Sequence, residues 1–259
     1  MALTRIGALS ADDGGVGGLP VVFVHSLAGN TSQWSAQLEH LRTSRRAIAL
    51  DLRGHGLSKP PADGDYAIDS LAADIDTIVR RFDIPEFVLV GHSMGGIVSL
   101  AYANAHPGRA AGILLVDPAG DVRKVPADDI RQFMGAIDSG AYTEAIENWW
   151  NQMLAGSDDA VRSRVIQDLR NTPQETVVGI FKATLRYDPL PALNRYRGPI
   201  LSIITPFNDA PYSLHRLHPA LPHRKIHGTG HWLQMDKPGE FNRLLDEFLF
   251  SVEKRIGSK

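Results

Sequence analysis

The sequence predicts an α/β fold, in which a mostly parallel central sheet is flanked by helices. Short apolar runs rich in Val, Ile and Leu recur along the chain, and segments with helical periodicity separate them. The chain has 259 residues, of which 43% are apolar, so it is long enough for one domain with a large core. These observations predict alternating strands and helices around that core.

Five apolar runs have the length and composition of strands that are buried on both faces, as in a parallel sheet. They occupy residues 20–25, 46–51, 86–91, 111–117 and 199–205, and a weaker sixth run covers residues 224–228.

Two segments between and after these runs predict amphipathic helices, because their apolar residues recur every three or four positions. The first contains Leu71, Ile75, Ile78, Val79 and Phe82. The second, near the C-terminus, contains Phe241, Leu244, Leu245, Phe248, Leu249 and Val252.

Residues 121–187 show helical periodicity and no convincing strand, so they interrupt the alternation. A helical block between two strands of one sheet must leave the sheet and return to it. We expect it to cover the carboxyl ends of the strands, where open α/β sheets bind ligands. The predicted organisation is therefore a core formed by residues 1–120 and 188–259, with a helical cap at 121–187.

Composition argues against several classes of partner. The formal net charge is −2 at pH 7, and no basic block suggests binding to nucleic acid or to an anionic membrane. No stretch is long and apolar enough to predict a membrane-spanning helix. The chain has no cysteine, which excludes disulfides and thiolate chemistry.

The N-terminal stretch lacks the apolar region of a signal peptide, and together with the absence of cysteine this favours the cytoplasm. The sequence leaves the choice between a monomer and a homodimer open.

The segment VLVGHSMGGIV places Ser93 between an apolar run and a helical pattern. A serine hydroxyl is a poor nucleophile unless it is exposed beside a base and near donors for an oxyanion. A sharp strand-to-helix turn exposes it, and small residues at Gly91 and Gly95 relieve crowding in that turn. This is the G-x-S-x-G nucleophile elbow in its required context, so Ser93 is the candidate nucleophile.

Four motifs in this order resemble those of the α/β-hydrolase family. They are VFVHS at 22–26, DLRGHGLS at 51–58, GHSMGG at 91–96 and GTGHW at 228–232. The resemblance covers nearly the whole chain. It implies the α/β-hydrolase fold, with the helical cap inserted after the sixth strand.

The resemblance also implies roles for further residues. His231, in the loop after the last strand, would be the base. The backbone N–H groups of Leu27 and Met94 would form the oxyanion hole. Ser26 stands where many relatives have glycine. Some members of the family, including enol-lactonase-like ones, tolerate serine at this position.

Two aspartates compete for the role of the acid that orients the base. Family members usually carry it in G-x-x-D after the next-to-last strand, and Asp209 occupies that place, although Pro206 replaces the glycine. Some members carry it one strand earlier, where Asp117 stands. Asp209 is the preferred acid and Asp117 is the alternative.

The predicted function is hydrolysis of carboxylic esters through an acyl-enzyme on Ser93. The alternatives are a lactonase for acyl-homoserine lactones or enol-lactones, a C–C bond hydrolase, and a weakly catalytic ligand receptor. The substrate is a small ester or lactone. Its predicted binding residues are Ser26, Asn30, Tyr142, Trp149 and Trp150.

No metal or cofactor is required by this chemistry. Five histidines crowd one stretch, but no H-E-x-x-H motif occurs, and a strand and a tight turn separate them. They are His215, His218, His223, His227 and His231.

Overall fold

A single sheet organises the molecule, for which a computed structural model describes residues 3–258. Eight strands lie within this range: β1 (Leu3–Ile6), β2 (Leu9–Gly14), β3 (Val21–Val24), β4 (Ala47–Asp51), β5 (Phe87–His92), β6 (Ala110–Val116), β7 (Ile200–Ile204) and β8 (His223–Lys225). Their order across the sheet is β1-β2-β4-β3-β5-β6-β7-β8. β2 pairs antiparallel with β1 and β4, and the other neighbours are parallel. The predicted α/β fold with a mostly parallel sheet is confirmed.

Eleven α-helices accompany the sheet in the described range. They are α1 (Ser35–Leu41), α2 (Ile68–Arg81), α3 (Met94–Ala105), α4 (Ala127–Ile137), α5 (Tyr142–Met153), α6 (Asp159–Asn171), α7 (Gln174–Thr184), α8 (Leu190–Arg195), α9 (Leu214–Leu217), α10 (Leu233–Asp236) and α11 (Pro238–Gly257). We call α4–α7 the cap helices. They follow β6, the sixth strand, and the chain returns through α8 to β7.

The central strands are apolar throughout because both faces of the sheet are covered. Successive side chains of a strand point to opposite faces. Val22 and Val24 of β3 accordingly belong to a core shared with α2, α3 and the cap helices. Val21 and Phe23 belong to a second core shared with α1 and α11. The sheet therefore has a helical layer on each face.

Two parts of the sheet differ from the sequence-based expectation. The hairpin of β1 and β2 was not predicted, because both strands are short and contain several polar residues instead of forming an apolar run. The last strand, β8, covers His223–Lys225 instead of residues 224–228, and its three residues are exposed. β1 and β8 are the two edge strands and are mainly exposed, so their sequence signal is weak.

No helix of residues 3–258 is long and apolar enough to cross a membrane. Within the same range, no group of three or more His, Cys, Asp or Glu residues is arranged to hold a metal ion.

Candidate active site

Ser93 is the one residue between the end of β5 and the start of α3. Its backbone lies in a sparsely populated region, with φ 54° and ψ −119°. A non-glycine residue in such a conformation costs on the order of 1–3 kcal/mol and persists where the surrounding structure enforces it. The Ser93 N–H donates to the carbonyl of Val116 at the end of β6, 2.9 Å away. The strained turn is thus fastened to the neighbouring strand.

The glycines around Ser93 are required by close backbone approach. A Cβ atom on Gly91 would lie 2.4 Å from the carbonyl oxygen of Gly95. A Cβ atom on Gly95 would lie 2.5 Å from the carbonyl oxygens of both Val24 and His25. Any larger residue would push the elbow away from β3. The sharp strand-to-helix turn that the G-x-S-x-G motif predicts is therefore present in the backbone geometry.

His231 lies in the loop between β8 and α10, and it is 5% exposed. Its ring Nδ1 is 2.6 Å from Oδ2 of Asp117. Its carbonyl accepts a hydrogen bond from Nε2 of His92, at 2.9 Å. His231 and Ser93 line the same cavity. Catalytic hydrogen bonds across such a cavity often tighten only when substrate binds.

Asp117 is the carboxylate next to His231, and it is completely buried at the end of β6. Its two oxygens also accept hydrogen bonds from the backbone N–H and the hydroxyl of Thr205, at 2.7 and 2.8 Å. An ionised carboxylate that accepts three such bonds is well satisfied despite its burial. It holds the imidazole with the proton on Nδ1, which leaves Nε2 free to act as a base.

The sequence-based preference for Asp209 as the partner of His231 is corrected by this geometry. The Asp209 carboxylate binds Arg216, Lys225 and His215, at 2.7, 2.6 and 3.1 Å. The Arg216 and Lys225 side chains hold the pKa of Asp209 far below its usual range. A short 3₁₀ helix, Pro206–Asn208, follows β7 and brings Asp209 to these three partners.

The loop after β3 and the start of α3 each present one candidate oxyanion donor. Ala28 has φ 56°, and its N–H donates to Nε2 of His55 at 3.1 Å. Leu27 and Met94 both line the cavity. Met94 is the first residue of α3, and the first N–H groups of a helix have no partner within the helix. The N–H groups of both residues are thus candidates to hold a substrate oxygen.

Two buried histidines, each with a neutral imidazole ring, hold this loop in place. Nδ1 of His25 donates to the carbonyl of Ser26 at 2.7 Å, and its Nε2 accepts from the N–H of Leu52 at 3.0 Å. Nδ1 of His55 donates to the carbonyl of Arg53 at 3.0 Å. Burial lowers the pKa of His25 to about 4. Burial, reinforced by the nearby His25, lowers the pKa of His55 to about 3. Both rings therefore stay uncharged near neutral pH.

The cap helices also contact this loop. Gln33, just before α1, donates through Nε2 to Oδ2 of Asp168 on α6, at 2.9 Å. Both side chains are buried, and Arg164 donates to the other oxygen of Asp168 at 3.2 Å. One buried amide–carboxylate bond therefore links the loop after β3 to the cap.

The cavity that contains Ser93 and His231 has a volume of about 300 Å³. Its walls are mainly apolar and aromatic and come from both the core and the cap helices. Asp129 and His231 are the lining residues with ionisable carboxylate or imidazole groups, and no Lys or Arg is among the described lining residues. Arg123, next to the lining residue Val122, is engaged by Asp121 and Asp188, each at 2.8 Å.

Three of the five predicted substrate-binding residues line this cavity, namely Ser26, Trp149 and Trp150. Asn30 and Tyr142 do not. The Asn30 side chain instead caps the 3₁₀ helix Thr31–Trp34 by accepting from the N–H of Ser32 at 3.0 Å. Tyr142 begins α5, about 10 Å along the helix axis from Trp149.

Sequence reasoning missed several lining residues. Phe133 lies on α4, and the centroid of its ring is 5.0 Å from that of Trp149 and 4.8 Å from that of Phe181. Its helical periodicity was visible, but periodicity does not say which buried face meets a cavity. Phe207 lies in the short 3₁₀ helix after β7 and Tyr212 in the turn that follows it, and no sequence pattern identifies either as a lining residue.

Comparison with known proteins agrees with this geometry. The sequence model of the family described as "alpha/beta hydrolase fold" matches residues 20–238. The chain belongs to the α/β-hydrolase family.

Relatives of this α/β hydrolase include a Xenopus laevis protein named sn-1-specific diacylglycerol lipase ABHD11. It is 28% identical over an alignment of 275 positions, gaps included, which covers 96% of this chain and 86% of the relative. A 129-residue stretch is 38% identical to the dihydrolipoyllysine-residue acetyltransferase component of the Pseudomonas putida acetoin cleaving system. That stretch covers 49% of this chain and 34% of the relative.

Solved structures show the same fold. A thermophilic esterase from Thermogutta terrifontis superposes with a TM-score of 0.80, at 24% identity and 94% coverage of both chains. Est816, described as an N-acyl homoserine lactone degrading enzyme, superposes with a TM-score of 0.79 at 22% identity, covering 95% of this chain and 100% of its own. This α/β hydrolase thus shares its fold with an esterase and with an N-acyl homoserine lactone degrading enzyme.

Proposed function

We propose that this protein is a serine hydrolase of uncharged carboxylic esters. The observation that carries the proposal is the arrangement of Ser93, His231 and Asp117. A strained elbow presents a hydroxyl to a cavity that also contains an imidazole, and a buried carboxylate fixes the tautomer of that imidazole.

In the proposed reaction, Nε2 of His231 takes the Ser93 hydroxyl proton as Oγ attacks the ester carbonyl carbon. The N–H groups of Leu27 and Met94 hold the oxyanion of the tetrahedral intermediate. The imidazolium then gives its proton to the leaving alcohol, and an acyl-enzyme remains. Water attacks the acyl carbon while His231 takes its proton, and Ser93 is released with the acid. Asp117 stabilises the imidazolium in both halves.

The cap helices, in this proposal, form the wall that selects the acyl or alcohol group, and residues 121–187 act as the cap of a core made by 1–120 and 188–259. Trp149, Phe133 and Phe181 form an aromatic cluster there. A cavity of about 300 Å³ is at the small end of ligand pockets, so it suits modest substrates.

The test is a set of initial rates on p-nitrophenyl esters with acyl chains of two to eight carbons, for wild type and Ser93→Ala. Ser251→Ala, on the exposed face of α11, is the matched control. We expect high rates for wild type and control, and a loss of at least about 10³-fold for Ser93→Ala. Equal rates in wild type and Ser93→Ala would refute the mechanism.

The charges of the residues that line the cavity predict that the substrate is uncharged. A carboxylate buried among apolar walls without a cation loses several kcal/mol of solvation. The kcat/KM for p-nitrophenyl valerate should therefore be at least about 100-fold higher than that for the mono-p-nitrophenyl ester of glutaric acid, which has a similar length and carries a carboxylate. A ratio near one would show that the cavity does not discriminate on charge.

A lactonase is the second candidate, and Ser26 is the observation that favours it. Its hydroxyl lines the cavity and makes only long contacts, 3.4 and 3.5 Å, with Leu27 and Gln33. It is thus available to a polar group beside the acyl carbon. Rates on an acyl-homoserine lactone and on an open-chain ester of equal acyl length decide between the two. C–C bond hydrolysis and ligand reception without turnover remain the alternatives if both rates are at background.

A further inference from the structure

The loop that carries His231 is joined to the turn between α5 and α6 of the cap. The N–H of His231 donates to the carbonyl of Met153, the last residue of α5, at 2.9 Å. Since the carbonyl of His231 accepts from His92, both backbone polar groups of His231 are held by other elements. One of these elements is the nucleophile elbow and the other is the cap.

Asp236, at the end of α10, joins the same two segments through its side chain. One carboxylate oxygen accepts from the Ser157 hydroxyl at 2.8 Å and from the Gly230 N–H at 3.0 Å. The other accepts from the N–H of Asp158 at 3.2 Å. Burial raises the pKa of Asp236, while these three bonds oppose the rise. A half-buried carboxylate thus bridges the cap turn and the residue that precedes His231.

The two segments approach so closely that residue 230 must be glycine. A Cβ atom on Gly230 would lie 2.2 Å from the Ser157 hydroxyl and 2.9 Å from the Met153 carbonyl. The loop is therefore packed against the cap turn by backbone contact, and it is not free to shift while that turn stays in place.

We propose that Asp236 is a positioning residue, which clamps the α5–α6 turn onto the Gly230–His231 backbone and thereby sets the place of the imidazole. The α5–α6 side of the cap is then a fixed part of the active site. This inference rests on the proposed role of His231 as base. Asp236 lies outside the cavity lining, so it acts through His231 and not on the substrate.

The test compares Asp236→Ala and Asp236→Asn with Asp246→Asn, a matched control on α11 whose carboxylate pairs with His40 on the surface. On the best ester of the panel, we expect kcat of both Asp236 variants to fall about 10- to 100-fold, with KM within about threefold of wild type. The control should match wild type. A kcat within twofold of wild type, or a rise in KM at unchanged kcat, would overturn the proposal.

Amide hydrogen exchange gives a readout that does not depend on turnover. Asp236→Ala should exchange faster than wild type at residues 153–158 and 228–236 together, because the clamp joins them. Faster exchange at only one segment would overturn the clamp. If wild type hydrolyses no ester, the proposed function fails, and exchange still decides whether Asp236 joins the two segments.

Ser157→Ala covers the case in which the Asp236 variants do not fold. It removes one of the three bonds to Asp236 from a partly exposed position. We expect a smaller fall in kcat, about 3- to 10-fold, again at nearly constant KM. An unchanged kcat would count against the proposal.

Discussion

Replacing Asp117 by Asn tests which carboxylate orients His231. The change preserves size but turns an acceptor-only carboxylate into an amide with one acceptor and one donor. The backbone N–H of Thr205 can only donate, so the amide oxygen must face it. The amide NH₂ then faces Nδ1 of His231, 2.6 Å from the former Oδ2.

An imidazole that accepts at Nδ1 carries its proton on Nε2 and cannot take the proton of Ser93. The wrong tautomer in a Ser-His-Asp arrangement costs on the order of 10⁴ in kcat, and this known case sets the magnitude that we expect. It corresponds to about 5 kcal/mol in activation free energy. Initial rates on the best ester at pH 8 measure it.

Asp209→Asn is the matched control, because the two substitutions are chemically identical. Asp209 binds Arg216, Lys225 and His215 and does not line the cavity. Its kcat should stay within about threefold of wild type. A loss of thousands-fold in Asp209→Asn, with Asp117→Asn nearly unaffected, would refute the assignment and restore the acid that the sequence favoured.

Three further outcomes are expected. The depressed pKa values of His25 and His55, about 4 and 3, mean that the unfolded chain binds protons below pH 6.5 that the folded chain does not. The free energy of unfolding should therefore fall by about 2 kcal/mol per histidine from pH 7 to pH 5, and urea titrations that show no change would contradict this. Gly95→Ala should lower the free energy of unfolding by about 3 kcal/mol, because the new Cβ atom would meet two backbone oxygens at the end of β3. Gly239→Ala is the control and should be tolerated, since a Cβ atom there would have no other atom within 4 Å. Trp149→Ala should raise kcat/KM for the eight-carbon ester relative to the two-carbon ester about tenfold, and an unchanged ratio would place the acyl group elsewhere.

Several features were predictable from the sequence because their causes are local. Strands buried on both faces must be continuously apolar, so β3–β7 stand out as runs of Val, Ile and Leu. A serine between a strand and a helix, with glycine two residues before and after, has few other uses. Ser93 and its backbone geometry follow from that short stretch, as does the position of Met94 at the start of α3.

The partner of His231 was not predictable, because the choice depends on how the chain leaves β7. Asp117 and Asp209 follow neighbouring parallel strands, so both lie at the same edge of the sheet. Thr205 turns back to bind Asp117, and the 3₁₀ helix after it takes Asp209 to the surface cations. Spacing along the chain contains no information on that choice.

The sequence by itself determined the fold class and the elbow at Ser93, since periodicity and turn chemistry act over a few residues. The loop of His231 was expected from the resemblance of its motif to those of the α/β-hydrolase family. Only the tertiary structure decided that Asp117 lies beside His231 and that Asn30 and Tyr142 stay outside the cavity. It also decided that the cap is joined to both candidate catalytic loops, through Asp236 and through Gln33. These contacts join segments far apart in the chain, and they depend on packing of the whole domain, which local patterns do not record.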